Sequence, residues 1–430
     1  MALSRPTDGR GEALDLLRAV LGRGHPLDEA LARSRSLPAL PARDRAFARL
    51  LVATVLRRLG QIDAVIAHCL DRPLPKKLAR VHNVLRLGAA QLLFLGTPAY
   101  AAIDTGVALT SGGTSRAGLV NAVLRRIARE GDDLVAGQDA ARLNTPDWLW
   151  QSWHAAYGEA AARAIALAHL AEPSLDLSVK ADPADWAARL QAESLQTGSL
   201  RLPLGGAVTD LPGYGDGAWW VQDAAAALPA RLLGEVAGRR VLDLCAAPGG
   251  KTAQLAAAGA RVTAVDAARG RAELLRENLR RLRLDVEVVA ADILAFRPAE
   301  PFPLVLLDAP CTATGTIRRH PDVARLKTRE DVTRMAALQG RLLRAAIAML
   351  APGGMLVYSV CSLQPEECAA VVEAALADAR DLVRAPIASG EVGGIADAVT
   401  PAGDLRTLPC HLAAQGGMDG FYACRLYRTP

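Results

Sequence analysis

The C-terminal half of the chain alternates short apolar runs with longer amphipathic stretches, and this pattern limits the fold more than any other feature. Five aliphatic, β-branched runs predict buried strands at residues 240–244, 262–265, 286–290, 304–307 and 354–358. Between them, apolar positions recur every three to four residues and predict helices at 251–258, 271–284 and 331–350. Such alternation predicts a doubly wound, mostly parallel sheet, which binds ligands outside the carboxyl ends of its strands.

A glycine-containing loop follows the first predicted strand and opens a predicted helix. It consists of Cys245, Ala246, Ala247, Pro248, Gly249, Gly250 and Lys251. Its glycines allow a ligand to approach the backbone, and the helix start offers free amides. The end of the loop matches a P-loop, but Cys245 stands where that motif requires glycine, and the dinucleotide fingerprint is absent. Taken alone, the loop is also compatible with a tight turn that binds nothing.

Acidic residues end the next two predicted strands. Asp266 lies a little over twenty residues after Asp243, a spacing that suits a ribose-binding carboxylate, and Arg271 follows it. Asp292 ends the third strand, where a carboxylate can accept a hydrogen bond from an adenine amino group. A single aspartate at a strand end is more often a helix cap. Two at successive strand ends, after a glycine loop, favour a nucleotide-like ligand.

Two cysteines lie just beyond the fourth and fifth predicted strands. Cys311 and Cys361 are each three or four residues past a strand, which predicts partly exposed thiols at the ligand-binding edge. The alternative is that they are small apolar core residues, as most free cysteines are. The chain has seven cysteines, an odd number, which disfavours a disulfide between them. No Cys-x-x-Cys or His-x-x-x-His spacing occurs, so no metal is predicted.

Three motifs resemble the NOL/NOP/Sun family of RNA cytosine carbon-5 methyltransferases, and within it the bacterial enzymes that act on 16S rRNA. They are Asp-Leu-Cys-Ala-Ala-Pro-Gly-Gly-Lys-Thr at 243–252, Asp-Ala-Pro-Cys at 308–311 with Thr-Gly-x-Ile-Arg-Arg-His-Pro-Asp at 314–322, and Cys-Ser at 361–362 before Pro-Glu-Glu. Val360 and Thr312 replace the threonine and serine usual beside the two cysteines, and both changes are small.

The resemblance implies a site for S-adenosylmethionine and a role for each thiol. The loop 245–251 with Asp266, Arg271, Asp292 and Asp308 would line the cofactor site. Cys361 would be the nucleophile that adds to carbon 6 of cytosine, because carbon 5 must be activated before it accepts a methyl group. Cys311 would help release the product. Asp308 would contact either the pyrimidine edge or the cofactor, and Arg318 and Arg319 are candidate sources of positive potential for the thiolate.

The front of the chain has a different character. Helical spacing in seven segments between residues 12 and 129 predicts an all-α bundle, and residues 119–126 resemble the last helix of NusB-like RNA-binding domains. We therefore predict a NusB-like domain at 1–137, linker helices at 138–172, a small α/β module at 173–235 that contacts RNA, and a Rossmann-like class I methyltransferase domain at 236–430.

Composition agrees with a multidomain RNA enzyme without a membrane partner. The chain has 430 residues and a net charge of only +5, so RNA contacts must come from local basic patches. No apolar run approaches the roughly 18 residues of a membrane span, and the first ten residues lack a signal-peptide core. These features predict a cytoplasmic location, and the lack of a coiled-coil seam favours a monomer.

The reaction predicted from the resemblance is methylation of carbon 5 of a cytosine in small-subunit rRNA. One alternative is a tRNA cytosine methyltransferase, which would use the same site but is less expected with a NusB-like front domain. Another is a non-catalytic ribosome-assembly factor with an inactive cofactor site. The presence of both Cys311 and Cys361 disfavours that second alternative.

Overall fold

The computed structural model describes residues 8–110, 116–203 and 205–430, and these form two compact units. The first contains the described residues up to Leu170 together with Ile317–Lys327. The second contains Ala171–Thr316 and Thr328–Pro430. We call them the helical unit and the catalytic unit. No described helix is long and apolar enough to cross a membrane.

The helical unit is built from helices throughout its described residues, which confirms the all-α prediction. They are α1 (Gly9–Arg23), α2 (Leu27–Arg33), α3 (Ala42–Arg57), α4 (Leu59–Cys69), α5 (Ala79–Leu93), α6 (Ala99–Leu109), α7 (Ala117–Ala136), α8 (Ala140–Asn144) and α9 (Asp147–Ala168). Asp8 caps α1 by accepting a 2.8 Å hydrogen bond from the Gly11 amide. Their apolar faces form one core around Leu17, Leu51 and Ile62.

Close contact between α4 and α8 depends on a residue without a side chain. A Cβ at Gly60 would overlap the carbonyl oxygen of Leu143. Beside it, the Asn144 amide nitrogen donates 2.9 Å to the side-chain oxygen of Gln61, so two buried amides satisfy each other. The helices predicted as a linker, α8 and α9, therefore group with the helical unit.

A segment from the second half of the sequence also folds with the helical unit. Ile317–Lys327 carries the short helix α14 (Val323–Leu326). The Asp322 carboxylate accepts 3.0 Å from the Leu27 amide, and Arg325 donates 2.7 Å to the Asn144 carbonyl. The sequence placed this segment inside a continuous 236–430 domain. The partners lie 181 and 295 residues away along the chain, so no local pattern indicates this exchange.

The catalytic unit begins with a four-stranded antiparallel sheet in the order β2-β3-β1-β4. The elements are β1 (Leu175–Val179), α10 (Pro183–Leu190), β2 (Glu193–Ser194), β3 (Leu200–Leu202) and β4 (Trp219–Val221). Arg201 and Asp176 pair across this sheet through two 2.7 Å hydrogen bonds, both side chains being buried. These elements correspond to the α/β module predicted at 173–235.

The main sheet has eight strands, with seven in the order β10-β12-β9-β8-β5-β6-β7 and β11 paired to β12. Its elements are α11 (Leu228–Arg231), β5 (Arg240–Leu244), α12 (Gly250–Ala257), β6 (Arg261–Asp266), α13 (Arg269–Leu282), β7 (Glu287–Ala290), β8 (Phe302–Asp308), α15 (Arg329–Ala348), β9 (Leu350–Val360), α16 (Ala369–Asp378), β10 (Leu382–Arg384), β11 (Leu405–Arg406) and β12 (Tyr422–Arg428). Strands β5 to β9 are parallel, and β12 is antiparallel to its neighbours. The predicted mostly parallel α/β sheet is confirmed.

Both faces of the central strands β5 and β8 are buried, which explains their continuous apolar runs. Val241 and Leu304 pack in one core, whereas Leu242 and Val305 pack in another. The chain passes from β5 to β6 and β7 on one side, then returns to place β8 on the other side of β5. This change of direction opens a crevice at the carboxyl ends of β5 and β8, the usual ligand position in such sheets.

Candidate active site

A cavity of about 370 Å³ lies at the carboxyl ends of the parallel strands. It is lined by Cys245, Ala247, Asp266, Ala267, Ala268, Arg271, Asp292, Ile293, Leu294, Asp308, Ala309, Pro310, Cys311, Ala313, Leu338, Leu342 and Cys361. All seventeen residues belong to the catalytic unit. The cavity therefore joins the acidic strand ends and the two cysteines that the sequence singled out.

The conformation of the glycine loop is fixed by contacts with Asp266, at the end of β6, and with Arg271. The Ala247 amide donates 3.2 Å to the Asp266 carboxylate, and Arg271 donates 2.7 Å to the Ala247 carbonyl. Gly249 has a φ of 106°, and a Cβ there would overlap the side chain of Leu275. Position 249 therefore requires glycine because of both its backbone conformation and the close packing of α13.

Asp266 and Asp292 reach the cavity from adjacent strands but differ in their environments. Asp266 is buried and also accepts 3.2 Å from the Ala268 amide, so its carboxylate orders the turn after β6. Asp292 is exposed and accepts 3.0 Å from the Leu294 amide. Both carboxylates act as local caps and also face a cavity. Each of these strand-end aspartates is therefore both a local cap and a candidate ligand-binding carboxylate.

Asp308 ends β8 and connects the glycine-loop helix to the strand beside it. Its two carboxylate oxygens accept 2.7 Å from the Lys251 ammonium and 2.8 Å from the Ser359 hydroxyl. Lys251 is buried and lies 4.9 Å over the ring of Phe421. These contacts fix the orientation of a carboxylate that remains partly exposed to the cavity.

A fourth aspartate, Asp243, lies fully buried inside β5. Burial raises the pKa of Asp243 to about 7, although a 2.6 Å hydrogen bond from the Thr252 hydroxyl acts in the opposite direction. Its other carboxylate oxygen has no hydrogen-bond partner among the residues that the structure describes. Asp243 therefore ties the strand to α12 at an electrostatic cost.

The two predicted cysteines lie side by side. The sulfur atoms of Cys311 and Cys361 are 3.4 Å apart, and the Ala313 amide points at the Cys311 sulfur at the same distance. The contact with Cys361 and burial raise the pKa of Cys311 well above its ordinary value. Cys311 therefore keeps its proton at neutral pH and can donate it to the Cys361 sulfur. Burial similarly raises the pKa of the third cavity thiol, Cys245.

Backbone and hydroxyl contacts hold the two cysteine-bearing loops together. The Ala309 amide donates 2.9 Å to the Ser359 carbonyl, and the Gly315 amide donates 3.0 Å to the Cys361 carbonyl. The Thr314 hydroxyl accepts 3.0 Å from the Leu363 amide. A Cβ at Gly315 would overlap the Gly420 carbonyl oxygen. The position of each thiol therefore depends on the loop that carries the other.

Several predicted residues do not face the cavity. Ala246, Pro248, Gly249, Gly250 and Lys251 are not among its lining residues, and Lys251 reaches it only through Asp308. Arg318 and Arg319, the predicted sources of positive potential, fold with the helical unit and do not line it either.

Sequence reasoning missed the apolar side of the cavity. Ile293 and Leu294 directly follow Asp292, and this position just after a strand end could have identified them as residues that line the cavity. Leu338 and Leu342 lie on one face of α15. The sequence of α15 shows only the apolar spacing common to amphipathic helices, so it does not indicate that these two residues line a cavity. Within the described residues, no group of three metal-binding side chains occurs.

Comparison with protein families gives two matches along the chain. The family described as 16S rRNA methyltransferase RsmB/F matches residues 230–427. The NusB family matches residues 7–129.

Curated proteins match nearly the whole chain. The ribosomal RNA small subunit methyltransferase B of Pseudomonas putida is 37% identical over 96% of this chain and 96% of that protein. The protein of the same name from Vibrio cholerae is 34% identical, again over 96% of both chains.

Solved structures share the fold. The crystal structure of PH0851 covers 99% of both chains with a TM-score of 0.74 at 21% identity. A methyltransferase homologue from Pyrococcus horikoshii is 27% identical, with a TM-score of 0.53 over 65% of this chain and 93% of that one.

Proposed function

Because the chain belongs to the ribosomal RNA small subunit methyltransferase B family, we propose that it methylates carbon 5 of one cytosine in small-subunit (16S) rRNA. The observation that carries the proposal is the pair of thiols, Cys311 and Cys361, 3.4 Å apart on a cavity that Asp308 also lines. Transfer to an oxygen or to an amino nitrogen needs no attacking thiol. Transfer to carbon 5 of a pyrimidine needs one, because the ring must first be activated.

The polar and apolar groups that line the cavity suit S-adenosylmethionine. Asp266 and Asp292 offer carboxylates for hydroxyl and amino groups, and Ile293, Leu294 and Leu338 offer an apolar surface for a flat ring. Arg271 and the backbone of the glycine loop complete the polar side. When bound, S-adenosylmethionine supplies a methyl group on a sulfonium that an activated carbon can attack.

Cys361 is the attacking group in this proposal. Its thiolate adds to carbon 6 of the cytosine, which makes carbon 5 enamine-like and nucleophilic. Cys361 is the cysteine that follows β9, and the Gly315 amide fixes its carbonyl at 3.0 Å. A firmly held backbone at this position keeps the sulfur in a narrow range of attack directions.

Cys311 assists at both ends of the reaction. The raised pKa of Cys311 keeps its proton on the thiol, and at 3.4 Å that thiol can donate a hydrogen bond to the Cys361 thiolate when the thiolate forms. Once Cys361 is bonded to carbon 6, it no longer carries charge, and one cause of the raised pKa of Cys311 disappears. Cys311 then gives its proton to solvent water more readily, and the resulting thiolate can act as the base that removes the carbon-5 proton. Loss of that proton expels Cys361 and frees the methylated RNA.

Asp308 has the role of binding the pyrimidine edge in this scheme. Lys251 and Ser359 each occupy one of its oxygens, at 2.7 and 2.8 Å, which leaves further lone pairs facing the cavity. A carboxylate held in this way can accept hydrogen bonds from a protonated ring nitrogen or the amino group of cytosine. Such contacts favour the ring form that accepts a thiolate.

The part of the chain that matches the NusB family is the proposed site for holding the RNA partner. That part is residues 7–129, whose described residues lie in the helical unit and are not among the residues that line the cavity. We therefore assign it to capturing RNA rather than to chemistry. The catalytic unit supplies the methyltransferase site.

The two-thiol scheme is tested by replacing the thiol that assists release. With Cys311→Ala, the attack by Cys361 still occurs but elimination slows. We expect a covalent RNA adduct that survives a denaturing gel, and the double variant with Cys361→Ala should not form it. Product release at the parent rate without any adduct would contradict the role of Cys311.

A further inference from the structure

Glu367, a carboxylate of the catalytic unit that accepts four hydrogen bonds, is not among the residues that line the cavity. It lies just before α16 and is fully buried. One oxygen accepts 2.8 Å from the Thr312 amide and 3.1 Å from the Gln339 side chain. The other accepts hydrogen bonds from the hydroxyls of Thr312 and Ser362.

Two of these partners are the immediate neighbours of the two thiols. Thr312 follows Cys311 and Ser362 follows Cys361, so one carboxylate binds the residue after each cysteine. The shared anchor joins two loops that lie about fifty residues apart in sequence. The Glu367 carbonyl is itself fixed, because it accepts 2.7 Å from the Tyr358 hydroxyl inside β9.

A buried carboxylate that has only neutral hydrogen-bond donors adds little net stability to a fold, because its burial has a large desolvation cost. Burying an ionised carboxylate costs several kcal/mol unless its oxygens are fully hydrogen-bonded. All four donors to Glu367 are amides or hydroxyls, and they come from three separate elements. Such an arrangement suits a requirement for exact geometry between loops better than a requirement for stability alone.

We propose that Glu367 is a positioning residue that fixes the spacing of the two thiols by holding the residue after each of them. This inference rests on the proposed function, in which Cys361 attacks and Cys311 assists release. Without the carboxylate, each loop keeps its backbone contacts but loses the common anchor. Because a displacement of about 1 Å can slow an oriented reaction about 100-fold, loss of Glu367 should mainly lower kcat.

The test compares two adjacent glutamates in the full-length protein. Glu367→Gln keeps the size but removes an acceptor oxygen, whereas Glu366→Gln alters an exposed neighbour. We expect Glu367→Gln to lower kcat for methyl transfer at least tenfold with the cofactor KM within threefold, and Glu366→Gln to match the parent.

A second readout measures the thiol spacing without any methyl transfer. A diazenedicarboxamide oxidant converts two adjacent thiols into a disulfide and is itself reduced to the hydrazine, taking up both protons and both electrons. Peptide mass spectrometry follows the Cys311–Cys361 disulfide. Thiols 3.4 Å apart should react rapidly in the parent and in Glu366→Gln, and at least tenfold more slowly in Glu367→Gln.

The outcomes separate this inference from the proposed function. A parental disulfide rate in Glu367→Gln overturns the positioning role, whether or not kcat falls. Slower disulfide formation in a protein that makes no 5-methylcytosine keeps the positioning role and rejects the proposed reaction. If Glu367→Gln lacks a cooperative thermal transition, Thr312→Val, which removes only the hydroxyl donor, is judged by the same criteria.

Discussion

The helical unit and the catalytic unit both bury polar side chains, but they use them differently. In the helical unit, Gln61 and Asn144 pair with each other, and His169 packs 5.3 Å from the ring of Trp153. In the catalytic unit, the buried acids Asp266 and Glu367 bind the loops that surround one cavity. Buried polarity thus joins helices in one unit and shapes a site in the other.

The difference extends to charge. Burial, together with Arg318 and Arg57, lowers the pKa of His169 to about 3, so the helical unit buries a neutral imidazole. Burial raises the pKa of Asp243 to about 7, so the catalytic unit buries an acid that ionises near neutrality. His169 stays neutral and packs as an uncharged ring. Asp243, just before the glycine loop, has a carboxylate whose ionisation is disfavoured by burial. The contributions of His169 and Asp243 to folding stability should therefore depend on pH in opposite directions.

The largest expected contrast concerns two cysteines. Cys361→Ala should lower methyl transfer by at least about 1,000-fold, because the attacking thiol is lost, while cofactor affinity stays within a few fold. Cys69→Ala, in the buried core of the helical unit, should leave the rate within twofold. Rates with tritiated cofactor and calorimetric binding measure both. Turnover by Cys361→Ala would contradict its assignment as the attacking thiol.

The next contrast is the pH dependence caused by Asp243. Between pH 3.8 and 7 the folded state binds a proton that the unfolded state has lost, so folding stability falls as pH rises through this window. The decrease approaches about 1.4 kcal/mol for each pH unit and ends above pH 7. The Asp243→Asn variant has no titrating group at this position, so its folding stability lacks this pH-dependent contribution. Calorimetric unfolding should show the variant gaining stability relative to the parent from pH 5 to pH 7, and a constant difference would refute the buried-acid description.

The opposite dependence is expected from His169 at lower pH. Its folded pKa lies below the ordinary 6.5, so below pH 6.5 the unfolded state binds the additional proton and acidification destabilises the folded helical unit. From pH 6.5 to 5 the loss amounts to about 2 kcal/mol. His169→Phe keeps a ring beside Trp153 and removes the titration. Hydrogen exchange in α9 should then show less acid sensitivity than in the parent, and equal sensitivity would assign the effect to another group.

Local sequence patterns predicted the parts of this molecule that depend on local forces. The five parallel strands follow from their aliphatic, β-branched runs, although β7, at the edge of the sheet, contains no buried residue and so differs from the buried strand predicted there. Cys311, Cys361, Asp266 and Asp308 follow from their places at strand ends. The family resemblance, read from three motifs, is confirmed by relatives that match nearly the whole chain. The roles of the individual site residues stay predictions.

The parts that the sequence did not reveal depend on contacts between distant segments. The helical unit includes Ile317–Lys327 because Asp322 and Arg325 bind residues far earlier in the chain. Glu367 looked like part of a helix start, and its role as an anchor depends on Thr312 and Ser362 from two separate loops. Period and propensity carry no information about such contacts, which appear only once the loops are folded.

The most direct measurement is bisulfite sequencing of rRNA and tRNA from cells that lack this gene and carry either the parent gene or its Cys361→Ala form. We expect one cytosine in small-subunit rRNA to resist conversion with the parent gene and to convert fully with the variant. Protection lost only in tRNA would contradict the proposed substrate. Identical patterns with and without the gene would contradict the proposed reaction and favour a non-catalytic assembly factor.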